Sequence, residues 1–264
     1  MPSPNEITIS QLNRLIGLPD QPIIVDVCID EDFKLLPRLI PSSFRHSFKN
    51  IAELAAELTT QKVVIVCQKG KKLSQGAAAI LRDCGVNAEF LQGGILAWQQ
   101  AGLPLIPLKK SDLWVSKQRP KIDRIACPWL IRRFINPKAK FLFVEKSEIA
   151  NVAEKFDAIA FDIAGERYSH KGSGCTFDSL LEDFSLDTEA LRRMATIIRG
   201  ADTNKPELAP QVVGLLAISL GLSRQYKDDL QQLEAGMAIY DALYRWARDA
   251  VNEQHNSASS GGDL

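Results

Sequence analysis

Cysteine is scarce in this chain, and its pattern is unpaired. There are five cysteines, an odd number, and no two are separated by only two residues. A secreted disulfide scaffold or a four-cysteine zinc site needs a paired set, so free thiols in a reducing compartment are expected. An excess of one charge is also missing: 32 Lys and Arg face 32 Asp and Glu. That balance disfavours a bulk polyanion binder while leaving room for a local patch. Long apolar runs are absent too. The stretch Val212 to Leu220 is too short to span a bilayer and reads as a buried helix. The opening residues Met1 to Glu6 lack a basic stretch followed by an apolar one, so they do not read as a signal peptide. No dinucleotide fingerprint, helix-turn-helix signature or internal repeat is found. The expectation is a cytoplasmic protein with no membrane partner and no organic cofactor; DNA is disfavoured as a partner but stays open.

What is present suits a globular protein of one large or two modest domains: 264 residues, 45% apolar and 24% charged. Residues 8–108 alternate short apolar runs with helical patterns. Strands are expected at Ile23 to Val27, Val63 to Val66 and Ala88 to Leu91, and helices over 51–58, 74–84 and 95–100. Such alternation predicts a parallel sheet with helices on both faces. A proline-containing linker follows, then a second domain over 111–250 that reads as α+β and mostly helical. Its expected strands are 113–116, 141–144 and 158–161; its helices are 124–134 capped by Asp123, 176–184, 188–199 capped by Asp187, 211–220 and 228–249. Residues 251–264 read as a disordered tail.

Cys67 ends the apolar run Val63-Val64-Ile65-Val66 and opens Gln68-Lys69-Gly70-Lys71-Lys72-Leu73-Ser74, after which a small-residue helix begins. Strand, tight loop and helix N-terminus together favour a thiolate and bind anions. Lys69, Lys71 and Lys72 add positive charge. Of the other thiols nearby, Cys84 reads as a core residue, and Cys28 ends the neighbouring strand where it could face the pocket.

These segments carry a resemblance. Ile24-Val25-Asp26-Val27, Ile40-Pro41-Ser42-Ser43, the Cys67 loop and Gln92-Gly93-Gly94-Ile95-Leu96-Ala97-Trp98 make residues 8–108 resemble a single rhodanese domain. The resemblance implies that Cys67 carries sulfane sulfur as a persulfide. It also implies that the backbone from Gln68 through Ser74 holds the anionic end of a small sulfur donor, and that an acceptor thiol collects the sulfur. Cys28 stands where the family usually has arginine, Lys72 replaces the loop arginine, and the count from Cys67 to Gly76 implies a slightly longer loop. Those departures point toward a larger tetrahedral oxyanion as an alternative.

The second half opens with cations. Arg119 and Arg124 flank a candidate helix start, and Arg132 lies farther along that helix. Asp162 follows a strand, where side chains emerge into sites, and His170 is the one histidine of this half outside the tail. Glu166, His170 and Cys175 are candidate ligands for a divalent metal, though their spacing is not a zinc signature. Residues 113–249 resemble the C-terminal domain of the chromate-resistance protein B family. The matching stretches are 114–134, Phe161-Asp162-Ile163, Ser169 to Gly172, Cys175 to Phe177, Ile198 to Asp202, and Gly236 to Leu243. The resemblance implies a link to chromate stress; because chromate resembles sulfate in size and charge, Arg119, Arg124, Arg132 and His170 are expected, from their own chemistry, to form an oxyanion pocket. Three functions follow as expectations. The leading one is a sulfurtransferase-like enzyme linked to oxyanion stress. The others are a thiol-dependent chromate or arsenate reductase, and a non-catalytic oxyanion sensor or transcriptional regulator.

Overall fold

The structure is a computed structural model that describes residues 5–58, 61–108 and 111–253. The tail expected over 251–264 falls, beyond residue 253, outside the described residues. In chain order the first half contains β1 (Glu6–Ile7), α1 (Ile9–Leu15), β2 (Ile23–Asp26), α2 (Asp30–Leu35), β3 (Arg38–Leu39) and β4 (Phe44–Arg45). It continues with β5 (Val63–Val66), α3 (Lys72–Asp83), β6 (Ala88–Leu91), α4 (Gly94–Gln100) and β7 (Ile106–Pro107). Five strands pair in the order β1-β6-β5-β2-β4, every pair parallel, and β3 pairs antiparallel with β7. The amphipathic segment expected as a helix over 51–58 is instead 3₁₀ backbone from Phe48 to Glu57, broken at Asn50.

β5 shows why the sheet is buried on both faces. Its side chains alternate: Val64 and Val66 join one apolar core, while Val63, Ile65 and then Cys67 join another. The core holding Cys67 is completed by Ile51, Leu54, Ala77 and Leu81. The opposite core takes Leu12, Ile95 and Trp98 and continues without a break into the second half, through Trp114, Trp129, Phe134 and Tyr244. Gly17, with φ +83°, lies against the rings of Phe134 and Tyr244, where a β-carbon would collide. The Ser42 amide donates to the Phe134 carbonyl at 2.6 Å, and Arg248 reaches the Arg14 carbonyl at 3.0 Å.

The second half contains β8 (Leu113–Lys117), α5 (Asp123–Leu130), β9 (Lys140–Val144), α6 (Ile149–Phe156) and β10 (Ile159–Ala160). Four helices follow: α7 (Thr176–Asp183), α8 (Glu189–Asp202), α9 (Val212–Gln225) and α10 (Asp229–Arg245). The sheet here is small and parallel, in the order β10-β8-β9. This half is largely helical. Pro128 lies inside α5, which widens into a π turn over Ile131–Ile135, so the helix loosens just past the proline. Two expected caps are corrected. Thr188, not Asp187, caps α8 by accepting from the Leu191 amide, and Asp123 lies inside α5, whose cap position is Ile122. The helix expected to be buried over 211–220 extends to Gln225 and exposes Val213, Ile218 and Leu220, so only one of its faces is covered.

Candidate functional site

In an open parallel sheet, ligands collect at the carboxyl ends of the strands, where the strand order reverses. Here the chain runs outward from β2 to β4, then returns to β5 on the other side and proceeds to β6. The reversal falls between β2 and β5. Cys28 and Cys67 are the residues that follow those two strands, two after β2 and one after β5.

The Cys67 loop is held from below by the Gly93-Gly94 turn. The amide of Ile95 donates to the Cys67 carbonyl at 3.1 Å and that of Leu96 to the Gln68 carbonyl at 3.2 Å. Gly70 and Gly94, both at positive φ, pack backbone against backbone: a β-carbon on Gly94 would strike the Cys67 and Gln68 carbonyls and the Gly70 amide. Trp98, fully buried, donates its indole N–H to the Pro104 carbonyl at 2.9 Å and so anchors the following linker. The glycine pair and the tryptophan therefore serve the loop and the chain leaving it, respectively.

Cys67 is 5% exposed, and its thiol donates to the Ser74 hydroxyl at 3.1 Å; that hydroxyl donates in turn to the Lys71 carbonyl at 3.2 Å. Lys69, Lys71 and Lys72 are solvent-exposed around the loop, Gln68 and Leu73 are half-buried, and α3 begins at Lys72. A cavity of about 190 Å³ beside the loop is walled by Cys28, Asp32, Phe33, Gln68, Leu96 and Gln99 among others. Burial pushes the Cys28 thiol well up, with the neighbouring Asp26 carboxylate acting in the same direction. Burial also raises Asp26, whose Oδ1 accepts from the Cys28 amide at 2.9 Å. Cys84 is exposed at the end of α3 rather than in the core, because the helix stops there with its last turn facing solvent.

In the second half the four residues expected to form an oxyanion pocket do not converge. Arg119 ties the end of α9 to the start of α10: its guanidinium donates to the carbonyls of Ser223, Tyr226 and Lys227, and its backbone N–H donates to Asp229. Arg132 pairs with Glu234 at 2.5 Å and donates to the Ala139 carbonyl, beside a cavity of about 350 Å³ between the two halves. Only Arg124 and His170 lie together, and they lie among carboxylates. His170 Nε2 is 3.1 Å from Asp202, 3.4 Å from Asp162 and 3.7 Å from Asp123. Arg124 Nε is 3.1 Å from the far oxygen of Asp162. Among the described residues, Asp123, Asp162 and His170 each present a ligand atom within 4.8 Å of the others, so the cluster could hold a divalent metal.

Asp123 is the fixed point of this cluster. Its side chain is fully buried, and its two oxygens accept from the amides of Thr176 at 2.6 Å and Phe177 at 3.1 Å. It thus occupies the positive N-terminus of α7 rather than capping its own helix. Burial, then the Asp202 and Asp162 charges, push its carboxyl up to about 8. Burial, then Asp162, also raise Asp202, against the pull of His170 and Arg124. Asp162 turns at φ +56° just past β10 and accepts from the Thr176 hydroxyl at 3.0 Å.

The two other metal candidates fall outside this convergence. Glu166 is exposed and lines a different cavity with Arg167, Tyr168 and Asp183. Cys175 precedes α7, buried, with its amide donated to Asp178 at 2.8 Å; burial and then Asp123 push its thiol strongly up. Sequence reasoning missed the role of Asp123 and Asp202. The available signals were weak: an aspartate after a strand at 162, and aspartates inside the matched stretches at 123 and 202.

Comparison with known proteins agrees with this two-part architecture. Residues 8–101 match the rhodanese-like domain, and residues 114–247, just over half the chain, match the ChrB C-terminal domain. The chain belongs to the ChrB C-terminal domain family and carries a rhodanese-like domain ahead of it. It is similar to Protein ChrB of Cupriavidus metallidurans, 33% identical over 132 residues that make up 50% of this chain and 39% of that protein. The matched part is thus about two fifths of that relative's length. Among solved structures, a rhodanese-related protein from Thermoplasma volcanium aligns at a TM-score of 0.34 and 22% identity, covering 39% of this chain and 97% of its own. A rhodanese-like domain protein from Staphylococcus aureus aligns at 0.31 and 27%, covering 36% and 90%.

Proposed function

We propose that the protein is a sulfurtransferase-type enzyme that carries sulfane sulfur on Cys67 in the setting of oxyanion stress. The observation that carries this reading is the position of Cys67: first residue past the central strand β5, beside the reversal of strand order, ahead of the N-terminus of α3. The donor is a small anion such as thiosulfate, which docks against the loop from Gln68 to Ser74 beneath the charge of Lys69, Lys71 and Lys72. The Cys67 thiolate attacks the donor's outer sulfur. A sulfur–sulfur bond forms on the protein, the donor's own sulfur–sulfur bond breaks, and sulfite leaves with the electron pair. An acceptor thiolate then attacks the outer sulfur of the persulfide, becomes a persulfide itself and returns Cys67 as thiolate. No external oxidant is needed. The loop charge acts on the leaving anion as well as on the thiolate, so it stabilises the transition state and not only the bound donor.

Ser74 has a defined part in this scheme. Its hydroxyl accepts from the neutral thiol and donates to the Lys71 carbonyl. Once Cys67 ionises, the hydroxyl rotates to donate to the sulfur. Intact-mass measurement after incubation with thiosulfate tests the proposal: a gain of one sulfur atom in wild type and none in Cys67→Ser is expected. Equal gain in both, or none in either, overturns it.

A further inference from the structure

We infer that Asp123, Asp162, His170 and Asp202 form a binding site for one divalent first-row transition-metal ion. Four separate segments deliver these side chains: the first turn of α5, the residues past β10, the loop that follows, and the last residue of α8. One imidazole nitrogen lies 3.1, 3.4 and 3.7 Å from oxygens of three different carboxylates. Ligands bonded at about 2.1 Å sit about 3.0 Å apart along an octahedral edge and about 3.4 Å along a tetrahedral one. The separations to Asp202 and Asp162 lie in that range, and the one to Asp123, at 3.7 Å, exceeds it by a few tenths of an ångström.

Two further features set the cluster apart from an acidic patch. The first is the imidazole at its centre: a single Nε2–H can point at one oxygen only, so it cannot serve all three, whereas an ion at the centre serves all three and the nitrogen. The second is the way the neighbouring donors are spent. Arg124 Nε lies 3.1 Å from the far oxygen of Asp162 as a charge contact, and the two oxygens of Asp123 and Asp162 that face His170 take only neutral donors, the Thr176 amide and the Thr176 hydroxyl. The oxygens facing His170 are thereby oriented but not neutralised. Three carboxyl groups face one guanidinium here, and the His170 side chain is 44% exposed, so an ion can enter from solvent. Carboxylate oxygen with one imidazole nitrogen suits Mn²⁺, Fe²⁺, Co²⁺ or Zn²⁺ over Ca²⁺ and Mg²⁺, which take oxygen alone. The site is independent of the Cys67 chemistry.

The test uses the full chain, stripped with chelator and titrated with Mn²⁺ followed by electron paramagnetic resonance and with Co²⁺ followed by visible absorption. One ion per chain is expected, with a tighter constant than for Ca²⁺. His170→Ala and Asp202→Asn should each weaken binding by at least about tenfold, and His170→Ala should move the Co²⁺ bands. Melting of the stripped proteins checks that both variants fold. Cys67→Ser should bind as wild type does, which separates this site's failure from that of the sulfur-transfer reading. Absence of stoichiometric binding, wild-type affinity in either variant, or Ca²⁺ bound as tightly as Mn²⁺ overturns the assignment.

Discussion

The two halves each place a reactive group before a helix N-terminus, and they fill that position in opposite ways. In the first half the position past β5 belongs to Cys67, with three exposed lysines around its loop. In the second, the N-terminus of α7 is already occupied by the buried Asp123 carboxylate, and two more carboxylates converge beside it. One arrangement is suited to attract an anion and the other to attract a cation. The same backbone device yields opposite preferences because the side chain set against it differs.

The sharpest way to break this contrast is Cys67→Ser. Sulfur transfer from thiosulfate should fall at least about a thousandfold, because a serine hydroxyl is a far weaker nucleophile than a thiolate, while ion binding by the second half stays unchanged. A loss at both sites would show that the halves are chemically linked. Gly94→Ala comes next. Its positive φ and the carbonyls above it leave no room for a methyl group. A loss of about 2 kcal/mol or more in stability, with sulfur transfer impaired, is expected in a denaturant titration. Preserved stability would mean that the turn does not support the loop as described.

Asp202→Asn sharpens the comparison by giving two effects of opposite sign. Burial and Asp162 make the Asp202 charge unfavourable, so the ion-free variant should be more stable than wild type at neutral pH even as it loses affinity for the ion. A destabilised ion-free variant would contradict that account. The smallest effect is in pH. Folding holds a proton on Asp123 up to about 8, against an ordinary value of 3.8, with Asp162, Asp202, His170, Arg124 and Cys127 around it. The unfolded chain releases this proton first, so Asp123's contribution to ion-free stability is fully present below about 4 and is lost as pH rises toward 8. Melting temperature against pH, in Asp123→Asn and wild type, reads that slope; equal slopes would refute it.

Much of the first half could be read in the sequence because one contiguous segment encodes its central feature. Apolar strand, Cys67, glycine-containing loop and small-residue helix follow one another, so local periodicity was enough. The reason for the Gly93-Gly94 pair was not legible, since it lies in a close approach to Gly70 from across the loop. The second site is spread over residues that meet only after folding. An aspartate at a helix start reads as that helix's cap, but the amides Asp123 serves lie 53 and 54 residues onward. Arg119 and Arg132 read as anion ligands because cations cluster in that stretch, whereas tertiary carbonyls and Glu234 take them up. Strands were easier than caps. The runs at 63–66 and 88–91 match the strands observed; the first is an unbroken apolar sequence because it is buried on both faces, while the second carries the half-buried Glu89, paired with Lys62.

The apolar core that passes from Trp98 to Trp129 without a seam has a mechanical consequence. A chain cut in the linker would leave each piece with a greasy wall facing water, and the Phe134 and Tyr244 rings would lose the floor that Gly17 provides. The intact molecule should therefore melt in one step rather than two, and either piece expressed alone should be insoluble or bind a hydrophobic dye. Tethering two chemically unlike halves in this way makes them share one fate: neither can be lost to heat while the other survives.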